Sequence, residues 1–281
     1  PAARRVFFTA TPRIYAGGKA SDSQDFVACM TDGGPYGRVV FNYRFSEAVE
    51  HGWLVPFRLL VSVCSDPSLD TVFTDDPDGL VTYQGVTAPA RQVAAHLAIE
   101  QAIAASGSRR ILTFHSTVKA AEAFAEAHPA VAAVTAPGDT YRCEAMSGST
   151  PSADRRIQLD RLAAGVDPDG NPVDRSMMSN AKVLTEGVDV PAIDMVAFCD
   201  PKQSVVDITQ AIGRAMRPAD GKTEGTVVIP VVVPSDADID TLLDSTGWRQ
   251  VREVVAALQS VDESLAARFR DARTVSRTDP E

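Results

Sequence analysis

The sequence predicts an α/β fold in which a parallel sheet carries helices on both faces. From about residue 88 onward, β-prone segments alternate with helical segments, which is the pattern that such folds produce. The 281 residues are 44% hydrophobic and 23% charged, the balance of a globular protein, and their number suffices for about two domains. Because parallel sheets bind ligands at the carboxyl ends of their strands, functional residues are expected at that edge.

The first part of the chain predicts short elements separated by polar stretches. Strands are expected at residues 6–10 and 39–43, and a short helix at 46–52 with Ser46 as its N-cap. Residues 57–64 are rich in β-branched side chains and predict another strand. The acidic and proline-containing stretch 65–85 predicts a loop or a lid.

The alternating region continues to about residue 233, and a helical tail follows it. Two amphipathic helices are expected between residues 236 and 273, with Trp248, Val251, Val255 and Leu258 on one apolar face. The elements expected before them are helix 88–106, strand 110–116, helix 118–127, strand 142–146, helix 152–164, a short strand near Met177, strand 195–200, helix 205–216 and strand 226–233.

Charge and cysteine content narrow the classes of function. Lys and Arg number 27 against 37 Asp and Glu, a net charge of −10, which excludes a chain-wide basic surface for nucleic acid but leaves room for a local groove. No apolar run approaches the roughly 18 to 20 residues of a membrane span. The four cysteines are Cys29, Cys64, Cys143 and Cys199. They do not have the spacing of zinc ligands, so no metal site is predicted. They are expected to be buried thiols in a reducing, cytoplasmic compartment.

The helix at 205–216 has two chemically distinct sides. At about 100° per residue, Gln210, Arg214 and Arg217 fall within about 60° of one another and are expected to form an exposed polar face. Val205, Ile208, Ile212 and Met216 form the opposite, core-facing side. Gly213 costs about 1 kcal/mol relative to alanine in a helix, so the close approach of another group is one reason for its presence.

Four motifs in order resemble motifs III, IV, V and VI of superfamily 2 DEAD/DEAH-box helicases. They are Thr9-Ala10-Thr11-Pro12, Ile111-Leu112-Thr113-Phe114-His115-Ser116, Leu184-Thr185-Glu186-Gly187-Val188-Asp189-Val190-Pro191 and Gln210-Ala211-Ile212-Gly213-Arg214-Ala215-Met216-Arg217. The form of the third motif and the run from Tyr36 to Leu54 are most similar to restriction-enzyme motor subunits and related bacterial DNA translocases. The resemblance implies a RecA-like sheet of the P-loop NTPase fold, here the second, C-terminal helicase domain.

The resemblance also implies how nucleotide is handled. In this family, ATP and Mg²⁺ lie between two RecA-like domains, and the second domain supplies arginine fingers that stabilise the charge on the transferring phosphoryl group. Arg214 and Arg217 match the fingers, and Gln210 orders the same cleft. The remaining matches are Gly187 and Asp189, which meet the ribose and couple nucleotide to the nucleic-acid surface, and Thr9 and Thr11, which relay between nucleotide and the interdomain contact.

The expected partner is DNA, with RNA as the alternative. The residues that match backbone-phosphate contacts are His115, Ser116, Ser147, Gly148, Asn180 and Lys182. Hydroxyls, amides and N–H groups suit this task because they hold phosphates without reading base identity. One departure weakens the match, because many relatives have a Thr-Asp pair where this chain has Ala181-Lys182.

Two ATPase motifs are missing from the sequence. Neither a glycine-rich phosphate loop nor an Asp-Glu box for Mg²⁺ occurs. Gly221-Lys222-Thr223 follows a helix and precedes a strand, the reverse of the required context. The chain is therefore expected to begin after motif II and to be inactive as an ATPase alone, with a first RecA-like domain supplied in the same full-length chain or in trans.

The expected division of the chain follows from the motif positions. Residues 1–57 are the tail of the first RecA-like domain and a connector, 58–235 the second RecA-like domain, and 236–281 a helical extension. One alternative from another functional class stays open, a non-catalytic nucleic-acid-binding or interaction module that retains the fold.

Overall fold

The central feature of the protein is a six-stranded, wholly parallel sheet with the strand order β1-β8-β7-β4-β6-β5. This computed structural model describes residues 5–9, 36–64, 79–83, 85–181, 190–200, 205–232 and 246–262. The strands of the sheet are β1 (Phe57–Cys64), β4 (Arg110–Phe114), β5 (Tyr141–Met146), β6 (Arg175–Asn180), β7 (Met195–Phe198) and β8 (Gly225–Val232). An antiparallel hairpin, β2 (Leu80–Tyr83) and β3 (Val86–Pro89), lies outside this sheet.

Helices cover both faces of the sheet, which confirms the predicted fold class. They are α1 (Phe45–Glu50), α2 (Ala90–Ser106), α3 (Val118–Thr135), α4 (Ser152–Ala164), α5 (Val205–Ala215) and α6 (Thr246–Val261). Helices α2 and α3 pack on one face, and α4, α5 and α6 on the other. Within the described residues, no helix is both long enough and apolar enough to cross a bilayer.

The alternation of side chains along the strands divides the core into two layers. Ile111 and Met177 point into the layer under α2 and α3, whereas Leu112 and Met178, their chain neighbours, point into the layer under α4, α5 and α6. All four are fully buried, and each such side chain contributes about 1.5–3 kcal/mol to folding.

The loop predicted at residues 65–85 is partly wrong, because the β2–β3 hairpin begins at Leu80. Buried Val81 and Ala88 attach the hairpin to the start of α2, where Val93 is fully buried. The amide of Ala90 donates to Gly79 O at 3.0 Å, so the helix begins two residues later than predicted. A short hairpin of this kind is stabilised by what it packs against, which the local sequence does not reveal.

The two strands predicted near the N-terminus are wrong where the structure describes them. Residues 6–9 and 39–43 have no regular secondary structure, and Phe8 and Phe41 are 92% and 78% exposed. A strand needs a neighbour to satisfy its backbone, and in the described residues no strand pairs with either segment.

The flanking segments also touch the core. Phe45 and Leu54 pack against the layer to which α6 contributes Val254 and Leu258. Ser46, predicted as the N-cap of α1, is instead its second residue, and its amide donates to Asp262 Oδ2 at 2.8 Å. The division of the chain at residues 57 and 235 stays a prediction.

Among the described residues, two prolines lie in the interior of regular elements. Helix α3 continues through Pro129 to Thr135 and is thus longer than predicted. Pro230 lies in β8, where β7 pairs with Thr226–Val228, so at Pro230 the described strands give β8 one neighbour, β1. Proline has no backbone N–H to donate. It is tolerated there because only one neighbouring strand could have accepted that hydrogen bond.

Candidate functional site

The carboxyl edge of the central strands is closed by backbone and amide hydrogen bonds. Strands β4 and β6 end side by side, and there the His115 amide donates to Asn180 O at 2.9 Å. Asn180 Nδ2 donates to Thr113 O at 2.8 Å. These bonds extend the pairing of the two strands beyond their last regular residues.

The Thr113 hydroxyl lies at the centre of a buried polar group. It donates to Ser179 Oγ at 2.9 Å, and its oxygen lies 2.9 Å from His115 Nε2. His115 is 4% exposed, and Asn180 is fully buried. The contact of these two side chains with a phosphate stays a prediction, since both have partners inside the protein.

Ser116 is exposed at the same edge and is bound to a carboxylate. Its amide and hydroxyl both donate to Asp200 Oδ2, at 2.8 and 2.9 Å. Gln250 Nε2 of α6 in turn donates to Phe198 O at 2.8 Å and to Asp200 O at 3.2 Å. Asp200 and Gln250 are not among the predicted site residues, although a carboxylate directly after an apolar strand is an available signal in the sequence.

The turn between β5 and α4 holds the next two predicted phosphate contacts. Ser147 is buried, and its amide donates to Thr150 Oγ1 at 3.1 Å. Gly148 is exposed, and its carbonyl accepts from Arg155 Nη2 at 2.6 Å, while Arg155 Nε donates to Thr150 O at 2.7 Å. Arg155, which the sequence analysis did not select, thus shapes a turn that exposes backbone beside the N-terminus of α4.

The apolar side of α5 is confirmed for three of its four predicted residues. Ile208, Ile212 and Met216 are 1% exposed or less, whereas the Val205 side chain lies outside the described set. These residues hold the helix against β7 and β8.

The polar side of α5 differs from the exposed face that was expected. Arg214 is only 5% exposed, and Gln210 and Arg217 are half-buried. A Cβ atom on Gly213 would lie 4.0 Å from the Phe45 ring, so α1 packs beside this side of the helix. The close approach expected at Gly213 is therefore an ordinary van der Waals contact.

The end of α5 is held by a lysine that the sequence analysis had considered only as a false phosphate loop. Lys222 Nζ donates to Arg217 O at 2.8 Å, to Ile193 O at 2.5 Å and to Pro191 O at 3.3 Å. Burial lowers the pKa of Lys222 to about 8, against the opposing influence of the Asp194 carboxylate. Cations near a helix C-terminus interact favourably with its carbonyl groups.

Several predicted site residues cannot be placed in this geometry. Thr11, Lys182, Gly187 and Asp189 lie outside the described residues. Thr9 is described and exposed, in a segment without regular secondary structure. The described residues contain no group of three or more potential metal-ligating side chains.

The parallel sheet, its helical layers and its polar carboxyl edge define a RecA-like α/β domain. Residues 95–219 match the family described as the helicase conserved C-terminal domain. Residues 95–219, a little under half of the chain, are therefore similar to the C-terminal domain of helicases. No curated protein sequence matches the chain significantly.

Solved structures with this fold include two restriction enzymes. The ATP-dependent Type ISP restriction-modification enzyme LlaBIII bound to DNA is 26% identical, with a TM-score of 0.70 over 95% of this chain and 18% of that one. A nuclease-deletion mutant of the Type ISP enzyme LlaGI, in complex with a DNA substrate mimic, is 22% identical, with a TM-score of 0.51 over 92% of this chain and 14% of that one. This chain spans less than a fifth of either protein.

Proposed function

We propose that this chain is the C-terminal motor portion of an ATP-dependent DNA translocase. The observation that carries the proposal is α5, which combines a buried apolar side with Gln210 and Arg214 on the other, and which places Arg217 two residues beyond its end. A solvated surface helix gains nothing from holding an arginine at 5% exposure. An arginine finger benefits from such burial. Its guanidinium is held in place and partly desolvated before the reaction, so it stabilises a developing negative charge without first having to reorganise.

In this proposal, the nucleotide lies between the chain and a first RecA-like domain. Arg214 and Arg217 approach the γ-phosphate, and Gln210 orders the cleft. The family resemblance further assigns Gly187 and Asp189 to the ribose, and Thr9 and Thr11 to the relay between domains. The first domain holds most of the ATP and Mg²⁺, since the phosphate loop and Asp-Glu box are absent from this sequence.

DNA contacts in this proposal lie along the carboxyl edge of the sheet, where α3 and α4 begin. Ser116 and Gly148 are exposed there, and helix N-termini favour anions. The Asp200 carboxylate repels a phosphate at Ser116, so we expect Gly148 and its turn to contribute more. Buried His115, Ser147 and Asn180 then act by shaping this edge, and Lys182 remains a candidate from the family resemblance.

The exposed apolar segment before β1 supports a neighbouring first domain. Side chains that are 62–78% exposed include Val39, Val40, Phe41 and Trp53. Contiguous exposed apolar groups of this kind are typical of surfaces that another domain or protein covers.

The test compares ATP hydrolysis, with and without duplex DNA, by this chain alone and by the chain joined to a first RecA-like domain. We expect turnover only in the combined protein, stimulated by DNA. Arg214→Ala should lower kcat by about 10³ to 10⁵, the range for arginine fingers in other NTPases. Arg156→Ala is the matched control, because Arg156 is exposed on α4, where its guanidinium lies 3.9 Å from the Asp160 carboxylate.

Three outcomes would contradict parts of the proposal. Full turnover by the combined Arg214→Ala protein would remove the finger assignment. A combined protein that binds DNA but never hydrolyses ATP would favour the non-catalytic binding module instead, and a preference for RNA over DNA in the same binding measurement would change the substrate class.

A further inference from the structure

The Lys222 ammonium joins two parts of the chain that the proposed function assigns to one nucleotide cleft. One part is the end of α5, represented by Arg217 O at 2.8 Å. The other is the segment directly before β7, represented by Ile193 O at 2.5 Å and Pro191 O at 3.3 Å. Pro191 is the last residue of the motif that contains Gly187 and Asp189.

Lysine suits this position because its chemistry matches the acceptors. An ammonium has three donors and no acceptor, and three carbonyl oxygens surround it. The loop that delivers it is closed by the Lys222 amide, which donates to Ala219 O at 3.0 Å, and by Gly221 at a φ of +74°. That positive φ is accessible to glycine without strain.

The end of α5 is also fixed from a third direction. The Val55 amide donates to Met216 O at 2.8 Å, one residue before Arg217. Asp194, which follows Ile193, accepts from the Arg109 and Arg110 amides at 2.9 and 3.0 Å and thereby anchors the segment to the start of β4. The carbonyls bound by Lys222 therefore belong to segments that are themselves held by the sheet.

We propose that Lys222 is a positioning residue that locks Arg217 to the 190–193 segment, so that both parts of the cleft respond to nucleotide as one unit. The lock itself is independent of the proposed function, whereas its effect on catalysis rests on that function. In this proposal Lys222 acts through the backbone that it holds at Arg217 and at residues 190–193, and not by contact with nucleotide.

The first experiment tests the lock in the chain as it stands. Lys222→Met removes all three donors and shortens the unbranched side chain by one atom, and Lys119→Met at an exposed position of α3 is the matched control. Amide hydrogen exchange should become about tenfold faster at Val55, Ile193 and Arg217 in Lys222→Met, with no change at Ala136, whose amide donates to Ala132 O at the end of α3 on the opposite face of the sheet. Unchanged exchange at the first three amides would overturn the proposal.

A measurement on the unsubstituted chain covers the case in which Lys222→Met does not fold. The Nζ protons of Lys222 should exchange with water about tenfold more slowly than those of exposed Lys119 in an NMR experiment, because they are held by three acceptors. Equal rates would mean that the ammonium is not held, and the proposal would fail.

The second experiment tests positioning in the combined protein with a first RecA-like domain. Lys222→Met should lower kcat about tenfold to a hundredfold, as expected when a catalytic group is misplaced, with KM for ATP changed less than about twofold. Lys222→Arg, which keeps charge and donors, should restore most of the rate.

The outcomes separate the two proposals. An unchanged kcat in Lys222→Met, in a protein that Arg217→Ala inactivates, would overturn the positioning role. If Arg217→Ala has no effect on turnover, the finger assignment fails, whatever the hydrogen exchange result at Lys222.

Discussion

Two buried histidines between α2 and α3 form a polar chain on the face of the sheet opposite α5. The Nδ1 atoms of His96 and His128 lie 2.8 Å apart, and His128 Nε2 lies 2.9 Å from Glu100 Oε1. The Tyr141 hydroxyl donates to Glu100 Oε2 at 2.8 Å. Both contacts are satisfied when His128 donates to Glu100 from Nε2 and accepts at Nδ1 from His96 Nδ1–H.

This arrangement predicts a loss of stability in mild acid. Burial, and then the nearby His128 and His115, lower the pKa of His96 well below its ordinary 6.5. Below that pH the unfolded chain binds a proton that the folded chain excludes, so the free energy of unfolding falls by up to about 1.4 kcal/mol per pH unit. Urea unfolding between about pH 5 and 8 measures the slope, which should be smaller in His96→Phe.

His51→Gln is the control for that measurement, because His51 is exposed at the end of α1. It should keep the slope of the unsubstituted protein. Identical slopes in the unsubstituted protein and His96→Phe would show that His96 does not carry the effect.

Individual contacts of the candidate site were only partly predictable from sequence. The motif pattern located Ser116 and Arg214 but not their surroundings. Asp200 binds Ser116 across 84 residues of chain, and burial of Arg214 accompanies the packing of Phe45 beside its helix. Such contacts depend on tertiary packing, which neither helical periodicity nor motif spacing encodes.

The packing of α5 on the sheet depends on a glycine in β8, Gly225. A Cβ atom on Gly225 would overlap the Ala215 carbonyl oxygen and lie 2.7 Å from its carbon, which is backbone and cannot move aside cheaply. Gly213, by contrast, has space for a methyl group beside the Phe45 ring. The two glycines therefore form a matched pair for a test of helix packing.

We expect the two alanine variants to shift stability in opposite directions. Gly225→Ala should lower the free energy of unfolding by about 1–3 kcal/mol, the usual cost of overpacking. Gly213→Ala should raise it by about 0.5–1 kcal/mol through helix propensity. Denaturant unfolding measures both, and a loss of stability in Gly213→Ala would mean that the polar side of α5 needs the glycine for another reason.

Elements with strong local signals were predicted well, and those that depend on packing were not. The bounds of β1 and α4 agree with the prediction, since turn residues and helix stop signals flank them. The hairpin β2–β3 was missed because its few apolar residues lie in a polar stretch. The segments at 6–9 and 39–43 show the converse, a β propensity without a neighbouring strand.

Two features of the isolated chain have opposite effects on self-association. The exposed apolar residues before β1, among them Phe41, favour it, and the net charge of −10 opposes it. Like charges keep copies apart at low salt, and salt screens them, with a Debye length of about 10 Å at 0.1 M. We therefore expect self-association to increase between about 0.05 and 0.5 M salt in sedimentation velocity experiments. Phe41→Ser should reduce it, whereas Ile157→Ser on α4 should not.

If Phe41→Ser and Ile157→Ser self-associate to the same extent, the apolar residues before β1 are not the surface through which copies of the chain associate. If Phe41→Ser instead weakens binding to an added first RecA-like domain, the same surface serves the domain contact. Both measurements use the intact chain.

The strand order has a consequence for biosynthesis. Among the described strands, β1 lies at one edge of the sheet and pairs with β8 alone, whose residues are synthesised about 170 positions later. At translation rates of about 5–20 residues per second, β1 waits roughly 8–34 s for its partner. Until then Leu59 and Val61 have no completed sheet to join, so the nascent chain exposes an aggregation-prone edge that a ribosome-associated chaperone is suited to shield.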